Sequence, residues 1–397
     1  MKLYLILCLF FSGILTAVAQ DYVESQNELH LSWKAEYNRH RIKKGRVFQY
    51  QNPITTGIDT NGVRDCQVFW DRNRWYMTAT SFPHWESQET NGQLNKGVVL
   101  YRSEDLKKWK FIKYIVPRPE KDKWYYHRFW APEIHKIKGK YYALFSCRND
   151  SLGYKGQYGG YAVSDRISGP YRVVTDTAPL VEGNDLTFFE DTDGQVWAFW
   201  RYGRGAGIRF AKVNLEKGEL VSDPETAITS GAIEYSPDSE AKTQKDSGYI
   251  ARLDPAVAIY HSWDAIGIEG PYVIKVKGTY YLFYSSWTRG YEVGYATAPK
   301  ITGPWTKNGE PFYGMKNKEL CLKRGFTWDE NPENPFIHVG HNQVFLGADG
   351  HLWLSCHGIA AGKKPMLVID PILFEQDGTI QKREPSYTLQ TVPIVNR

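Results

Sequence analysis

Residues 277–284, with the sequence KGTYYLFY, join a Lys-Gly turn signal to an aromatic run typical of a β-strand. The same unit, one or two turn residues followed by an aromatic strand, occurs five times. Asn, Asp or Gly at the turn supplies the positive φ of a tight hairpin, so each copy is predicted to follow a hairpin turn. The other copies are RNRWYMT (72–78), KGKYYALF (138–145), DGQVWAFW (193–200) and DGHLWLS (349–355).

Further strand-like segments flank each aromatic strand. An apolar segment precedes the turn, as in QVFW at residues 67–70 and EIHKI at 133–137. A third strand follows, as in GVVLYRS at 97–103, GYAVS at 160–164 and VGYAT at 293–297. Each unit is therefore a meander of three or four strands that recurs roughly every 55–85 residues.

Five such units with almost no helical periodicity predict an all-β fold, a single five-bladed β-propeller over residues 61–397. Separate β-sandwich domains are the alternative, but no linker rich in Pro, Ser or Thr divides the units. Residues 21–60 form a lead-in segment that either closes the ring with a strand or packs outside it. Residues 369–397 are expected to complete the last blade.

The first 20 residues have the three parts of a secretory signal peptide. Lys2 supplies the positive charge, residues 3–18 are nearly all apolar, and the stretch Ala17-Val18-Ala19 gives a small-residue cleavage pattern. The apolar run is short for a membrane span, and no later stretch is apolar enough. We therefore expect export to the periplasm or the cell exterior, without a membrane span.

Cysteine spacing and overall charge narrow the classes of function. The remaining cysteines show no Cys-x-x-Cys pattern, which argues against a zinc or redox site and predicts no particular disulfide. Aromatic residues make up 15% of the chain, which suits strands and the stacking of flat rings on sugars. The net charge of +5 is spread along the chain without a basic helix or finger motif, so no nucleic-acid partner is expected. The oligomeric state is not indicated. The cysteines are Cys66, Cys147, Cys321 and Cys356.

One polar residue stands at or near the start of each predicted inner strand. Carboxylates are poor strand residues, and side chains near a shared axis crowd together. Repulsion and partial desolvation then push their pKa values apart, which separates an acid from a base. Glycoside hydrolysis needs one carboxyl to protonate the leaving oxygen and one to activate water or attack directly. The five residues are Asp65, Glu133, Asp185, Glu269 and His341.

A structural role is the alternative for each of these residues. Asp65 and Glu269 lie outside obvious turns and favour function, whereas Asp185 follows a Gly-Asn pair and could be a turn residue. Glu133 is as readily structural as functional. A buried, hydrogen-bonded imidazole is the alternative for His341.

Around these residues the chain resembles glycoside hydrolase family 43 and its clan of five-bladed propellers. The matching segments occur in the family's order over roughly residues 60–360. The most specific are WAPE at residues 130–133 and EGPY at 269–272 with GTYYLFYS at 278–285. The others are VRDCQVFWDRNRWYMTATS (63–81), GVVLYRSEDLKKWK (97–110), NDLTFFEDTDGQVWAFW (184–200) and GHNQVFLGADGHLWLSCHG (340–358).

The resemblance implies an inverting mechanism with three carboxylates. By position, Asp65 matches the general base that activates water, and Glu269 matches the general acid. Asp185 matches the aspartate that tunes the pKa of the acid and orients it. An inverting enzyme needs room for a water molecule, so we expect the Asp65 and Glu269 carboxyl groups to lie roughly 6.5–9.5 Å apart.

Substrate binding is assigned to Trp130, Glu133 and His341. The resemblance implies that Trp130 lies near the sugar pocket. It also implies that His341, as in some family members, lies by a water-coordinated calcium or sodium ion in the central channel, and no other cofactor is required. Two positions depart from the family, because Cys66 and Leu186 replace prolines, which could shift either aspartate.

The expected function is hydrolysis of a plant- or algal-type polysaccharide, in the manner of an α-L-arabinofuranosidase or β-D-xylosidase, with galactan as an alternative substrate. A propeller that only binds glycans is a second hypothesis, and the presence of all three acids argues against it. A fructan-cleaving propeller is a third, but its Asn-Asp-Pro opening and Glu-Cys segment are missing. Long loops between blades favour an exo-acting pocket.

Overall fold

The structure, a computed structural model, describes residues 47–72, 74–89, 93–203, 207–235, 258–347, 349 and 351–393. Residues 1–46, which include the predicted signal peptide and most of the lead-in segment, lie outside the described residues. Five antiparallel sheets form the blades of a ring, which confirms the predicted five-bladed β-propeller.

Blades 1 and 2 follow a first strand, β1 (Val47–Tyr50), that belongs to neither of them. The strands of blade 1 are β2 (Val63–Asp71), β3 (Arg74–Ser81), β4 (Gly97–Ser103) and β5 (Trp109–Pro117). The strands of blade 2 are β6 (His127–Ile137), β7 (Lys140–Asn149), β8 (Tyr154–Ser164), β9 (Arg172–Val173) and β10 (Val181–Glu182). In blade 2, both short strands pair with β8.

Blades 3 and 4 repeat this meander, and a small sheet lies between them in the chain. The strands of blade 3 are β11 (Asn184–Glu190), β12 (Val196–Tyr202), β13 (Gly207–Asn214), β14 (Glu219–Leu220) and β15 (Glu225–Thr229). The small sheet pairs β16 (Ile233–Tyr235) with β17 (Ala258–Tyr260). The strands of blade 4 are β18 (Glu269–Val276), β19 (Thr279–Ser286), β20 (Gly290–Ala298), β21 (Thr306–Lys307) and β22 (Tyr313–Lys316).

Blade 5 is the smallest and follows a short helix, α1 (Lys318–Lys323). The side chain of Asn317 caps this helix by accepting a bond from the amide of Leu320 (3.0 Å). The strands of blade 5 are β23 (Phe336–Leu346), β24 (Leu352–Ala360) and β25 (Met366–Pro371), and β26 (Gln390–Pro393) follows. Of the described residues 369–393, only the first three belong to a strand of this blade, because β26 pairs with β1 instead.

The hairpins between the first and second strands of blades 2 and 4 have the predicted turn chemistry. Lys138 and Gly139 have φ of 49° and 77°, and Lys277 and Gly278 have φ of 50° and 80°. Two consecutive residues with positive φ match the twist of the flanking strands, as in the favoured two-residue hairpins. These turns thus fix where the aromatic second strand begins in blades 2 and 4, whereas the loop of blade 3 is longer and spans residues 191–195.

The apolar core lies between neighbouring blades. One cluster joins blades 1 and 2, a second joins blades 2 and 3, and a third joins blades 3 and 4. The fourth spans blades 4, 5 and 1 and includes Trp70, Phe283 and Trp353, all at most 3% exposed. The aromatic residues of the repeat therefore pack between neighbouring blades, and the ring closes between blades 5 and 1.

The β1–β26 sheet fastens the two ends of the described chain beside blade 5. Asp370, which is fully buried at the end of β25, accepts hydrogen bonds from Tyr50 (2.7 Å) and Tyr313 (2.7 Å). Asn52 and Ser386 also donate to its carboxylate. One buried carboxylate thus connects the segment after β1, blade 4, blade 5 and the segment before β26.

The four cysteines predicted to have no set pairing are free and buried. Among the described residues, no helix has the length and apolar character needed to span a membrane.

Candidate active site

The same irregularity interrupts the first strand of every blade. The register between first and second strands shifts within each first strand, and the first of the two residues inside each shift has a positive φ. We call these five the bulge residues: Asp65 (φ 51°), Ala131 (43°), Asp185 (57°), Gly270 (60°) and His341 (59°). A β-bulge re-aims side chains and often lies beside active sites. Two of the three predicted carboxylates, together with the histidine, thus occupy equivalent places around one axis.

The amides of the bulge residues are tied to the preceding blade. In four of the five, the acceptor is a side chain on the second strand of the preceding blade. In that preceding blade, the accepting residue pairs with the residue just before the bulge residue. The bonds run from Asp65 N to His357 Nδ1 (3.0 Å), Ala131 N to Thr80 Oγ1 (2.7 Å), Asp185 N to Ser146 Oγ (2.9 Å) and His341 N to Ser285 Oγ (2.8 Å). These bonds set the distance from blade to blade at the level of the acids.

Asp65 is held as a carboxylate. Thr80 donates a 2.6 Å hydrogen bond to its Oδ2, and Nδ1 of His341 lies 3.5 Å from its Oδ1. Burial alone would raise the pKa of Asp65, but the adjacent imidazoles of His341 and His357 lower it well below its usual range. His341 is the main cation, because Nδ1 of His357 already accepts the Asp65 amide bond and burial lowers the pKa of His357 to about 3. An ionised Asp65 suits a general base.

Glu269 immediately precedes a bulge residue, Gly270. Its carboxylate contacts Nη1 of Arg201 (3.1 Å) and accepts a 2.6 Å hydrogen bond from the hydroxyl of Tyr291. The side chain of Glu269 is 16% exposed, whereas Asp185 is only 4% exposed. Of these two carboxyl groups, Glu269 is the one that a bound molecule can reach.

Asp185 lies behind Glu269 and is linked to it through the backbone. Its Oδ2 accepts a bond from the amide of Gly270 (3.1 Å), and Asn184 donates to its Oδ1 (2.7 Å). Burial, together with the negative charges of Glu269 and Asp65, raises the pKa of Asp185 to about 6, against the opposing effect of the His341 and Arg201 charges. A buried carboxyl with a raised pKa beside a second carboxylate is the arrangement that divides acid from base.

His341 connects the two halves of the cluster. Its Nδ1 lies 3.3 Å from the hydroxyl of Tyr291 as well as beside Asp65. Burial would lower its pKa, but the carboxylates of Asp65, Asp185 and Glu269 raise it. A protonated Nδ1 then donates towards Tyr291, which donates to Glu269. The structure therefore brings Asp65, Asp185, Glu269 and His341 together.

The remaining predicted residues lie on either side of this cluster. Trp130 is at the mouth, where its Nε1 donates to the carbonyl of His84 (2.6 Å) and its ring meets that of Trp85 edge to face at 5.0 Å. Trp85 is 43% exposed and lies under the guanidinium of Arg64 (5.4 Å). Flat, partly exposed rings of this kind suit contact with the apolar face of a sugar.

Glu133 lies two residues beyond its bulge residue, deeper in the channel. Its Oε2 contacts Nε2 of His135 (2.6 Å) and accepts a bond from Thr187 (2.6 Å), and Gln343 donates to Oε1 at 3.4 Å. The side chain is 3% exposed. Glu133 is thus placed inside a hydrogen-bonded network of the protein, and its charge also helps to raise the pKa of His341.

The fit of a channel ion is decided by the buried polar atoms near His341. Within the described residues, no group of three or more His, Cys, Asp or Glu side chains could bind a metal directly. Nε2 of His341, the side-chain amide of Asn342 and Oε1 of Gln343 are buried and have no partner in the part of the chain that the structure describes. When the imidazole of His341 is neutral, these donors and acceptors fit a hydrated ion through water molecules. A cation bound there would compete with the proton of His341.

The two positions that depart from the family lie directly after bulge residues. Cys66 and Leu186 occupy the place that Pro132 and Pro271 hold in blades 2 and 4. Both are at most 1% exposed and pack in the apolar clusters between blades. The backbone keeps the same positive φ before Cys66 and Leu186 as before Pro271. The bulge therefore has the same geometry with Cys66 or Leu186 at this place as with proline. The side chain of Cys66 lies in the core.

Sequence reasoning missed the partners of the acids, namely Arg201, Tyr291, His357 and Thr80. Three of them stand on second strands, opposite the residue before a bulge residue. The signal that would find them is this register, counted from each acid across the hairpin.

Comparison with known proteins agrees with this architecture. The sequence profile of the family described as Glycosyl hydrolases family 43 matches residues 50–380. The non-reducing end alpha-L-arabinofuranosidase of Bacteroides ovatus is 22% identical over 344 residues, which are 83% of this chain and 52% of that protein. A beta-xylosidase of Xylanibacter ruminicola is 23% identical over 211 residues, 52% of this chain and 65% of that protein. The chain thus spans less than two thirds of either relative.

Solved structures share the fold. A thermostable family-43 glycoside hydrolase superimposes with a TM-score of 0.60 at 25% identity, covering 86% of this chain and 98% of that chain. An endo-1,4-beta-xylanase of Bacteroides thetaiotaomicron does so with a TM-score of 0.58 at 21% identity, covering 83% and 97%. Since the family profile spans well over half of the chain, the protein belongs to glycosyl hydrolases family 43.

Proposed function

We propose that the protein is an inverting glycoside hydrolase in which Asp65 is the general base, Glu269 the general acid and Asp185 the residue that tunes and orients the acid. The observation that carries the proposal is the meeting of these carboxylates at the bulges of three different blades, with His341 between them. The three residues are far apart in the chain, and a structural role gives no reason for them to converge on one exposed mouth.

The proposed mechanism begins with a water molecule beside Asp65. Thr80 and His341 hold Asp65 ionised, so the carboxylate can take a proton from water as the oxygen attacks the anomeric carbon. Glu269 gives its proton to the leaving oxygen as the glycosidic bond breaks. Asp185, with a pKa of about 6, keeps a proton within this acid pair at mildly acidic pH. A hydrated cation held through His341, Asn342 and Gln343 would, when bound, supply positive charge that favours the ionised form of the general base Asp65.

The substrate class proposed is an α-L-arabinofuranoside or β-D-xyloside of a plant- or algal-type polysaccharide. Support comes from the relatives named as an arabinofuranosidase and a xylosidase and from the Trp85–Trp130 pair at the mouth. Trp130 and His341 are proposed to contact the sugar. Glu133 enters this proposal only as a support for the channel wall, because its carboxylate is already bonded to protein groups. The signal-like residues 1–20 support export.

The direct test replaces each acid with its amide. Asp65→Asn and Glu269→Gln should abolish hydrolysis of aryl arabinofuranosides and aryl xylosides, with unchanged circular dichroism. A screen of arabinan, arabinoxylan, xylan and galactan oligosaccharides would identify the sugar and linkage. Proton NMR of the first product should show the inverted anomer. Near-normal turnover in either variant would remove that residue from its role, and glycan binding without any turnover would favour the non-catalytic alternative.

A further inference from the structure

Blade 3 breaks the pattern of amide bonds that the other four blades share. Arg201 pairs with Asn184 across the hairpin of blade 3. In the other blades, the residue at this place accepts a hydrogen bond from the amide of the next blade's bulge residue. A guanidinium has only donors, so it cannot accept a bond from an N–H group. The amide of Gly270 is bonded by Oδ2 of Asp185 instead. The single exception in the ring thus occurs where the next blade presents Glu269.

Arg201 uses its place differently from its four counterparts. Its Nη1 is 3.1 Å from Oε2 of Glu269, and its guanidinium carbon lies 6.0 Å from the centre of the Trp287 ring. Its charge also lowers the pKa of Asp185. Nε of Arg201 is buried and has no partner in the described part of the chain. Glu269 is therefore the carboxylate that fixes this guanidinium, and the two side chains position each other.

We propose that Arg201 is a positioning residue that couples Asp185 to Glu269. Arg201 stands where the other blades have an acceptor for the bulge amide, so the Gly270 amide bonds to Asp185. The positive charge of Arg201 also holds the carboxylate of Glu269. Asp185 and Glu269 then form one unit through Gly270 and Arg201, in place of two independent acids. This inference rests on the proposed function of Glu269 and adds a residue to it.

The chain itself supplies the design of the test, because serine stands at the corresponding place in blades 2 and 4. In Arg201→Ser, the introduced hydroxyl should accept the bond from the Gly270 amide, as Ser285 accepts the bond from the His341 amide at 2.8 Å. Asp185 then loses one donor, and the acid pair loses one neighbouring cation. Both changes favour the protonated form of the pair.

The expected result is a displaced pH profile. In Arg201→Ser, the alkaline limb of kcat/KM should move to higher pH by about one unit, while the acidic limb, set by Asp65, stays in place. The rate at the optimum should fall roughly tenfold or more because Glu269 is less well oriented. Arg201→Lys keeps the charge and lacks the acceptor, so its alkaline limb should stay within a few tenths of the parent value. Arg201→Gln, which removes the charge with little change in size, serves if the serine variant does not fold.

A matched control removes a cation of the same blade that lies on an aromatic ring, Arg209. Arg209 stacks on Tyr202 at 3.6 Å, and Arg209→Ser should leave both limbs unchanged. The inference is overturned if the uncharged variants keep the parent's alkaline limb, or if Arg201→Lys moves it as far as they do. A crystal structure of Arg201→Ser gives a readout that needs no activity, since a Gly270 amide still bonded by Asp185 would also overturn it. Failure of the proposed function is recognised separately, by full activity of Glu269→Gln.

Discussion

At the scale of single residues, the buried carboxyl of Asp185 links activity to stability. Its pKa of about 6 lies above the value near 4 of an unfolded aspartate, so the folded state binds more protons and stability falls as pH rises from about 4 to about 6. Asp185→Asn keeps an acceptor for the Gly270 amide and removes the charge. At pH 7.5 it should be more stable than the parent by about 2–3 kcal/mol, with no such gain below about pH 4.

Urea denaturation at the two pH values measures this difference. The same variant should lose most of its activity, because the amide no longer forms an acid pair with Glu269. An equal stability of variant and parent at pH 7.5 would mean that Asp185 is not held at a raised pKa.

Thr80 serves two blades with one hydroxyl, since it donates to Asp65 and accepts from the amide of Ala131. Thr80→Val keeps the shape and removes both bonds. We expect a loss of about 1–3 kcal/mol of stability, from the unpaired buried amide, and a fall in kcat/KM of roughly tenfold or more. Thr80→Ser is the control and should retain both properties. If the valine variant is as active as the parent, the hydroxyl has no part in holding Asp65.

The predicted acids could be found from the sequence because a carboxylate near the start of an apolar strand is unusual in itself. Their partners could not be found in this way. Arg201 and Tyr291 look like ordinary strand residues, and only the register across the hairpin and the packing of blade 4 bring them to Glu269. The sequence also assigned Glu133 to substrate binding and left a structural role open, and in the structure its carboxylate contacts His135 and accepts a bond from Thr187.

At the scale of the strand, the bulge is the feature that aims the acids. Gly270 has φ of 60°, and a Cβ added there would lie 3.3 Å from the ring of His341. Gly270→Ala should therefore lose about 1–2 kcal/mol of stability through backbone strain and contact. It should also lower kcat/KM, since the displaced imidazole no longer meets Asp65 and Tyr291 correctly.

Gly278 provides the comparison for this prediction. It also has a positive φ, of 80°, but nothing lies within 4 Å of an added Cβ. Gly278→Ala should show a similar loss of thermal stability with activity unchanged. Equal activity of the two variants would show that His341 does not depend on the space at Gly270.

The two-residue hairpins of blades 2 and 4 were predictable, and the bulges were not. A Lys-Gly pair between two apolar runs indicates its own conformation, because few residues adopt positive φ without strain. The bulges instead have Asp-Cys, Ala-Pro, Asp-Leu, Gly-Pro and His-Asn, with no common residue type. Amide bonds from the preceding blade hold them, and such long-range bonds leave no local pattern in the sequence.

For the whole molecule, the number of blades followed from counting repeats, but the fastening of the ring did not. The pairing of β1 with β26 joins residues more than 300 positions apart. Neither strand carries the aromatic repeat that identifies a blade. A lead-in strand outside the blades was one of two alternatives that the sequence left open.

The attachment of the β1–β26 sheet to the blades can be tested through the buried carboxylate of Asp370. Tyr50 is 2% exposed, and its hydroxyl bonds Asp370 at 2.7 Å. Tyr50→Phe should lower the free energy of unfolding by about 1–2 kcal/mol and leave kcat/KM unchanged, since no acid of the proposed site contacts it. A double-mutant cycle with Tyr313→Phe should be non-additive, because both hydroxyls serve Asp370. Strict additivity would show that the two segments are held independently.

In the β1–β26 sheet, Val47 lies directly opposite Pro393. Opposed backbones in an antiparallel ladder are only about 5 Å apart, so a linker of a few glycines could splice one to the other. New termini could then be cut at the Lys277-Gly278 turn, within blade 4. The chain of such a circular permutant would begin and end inside blade 4. The strands would follow one another in a new order along the sequence, and each would keep its place in the fold.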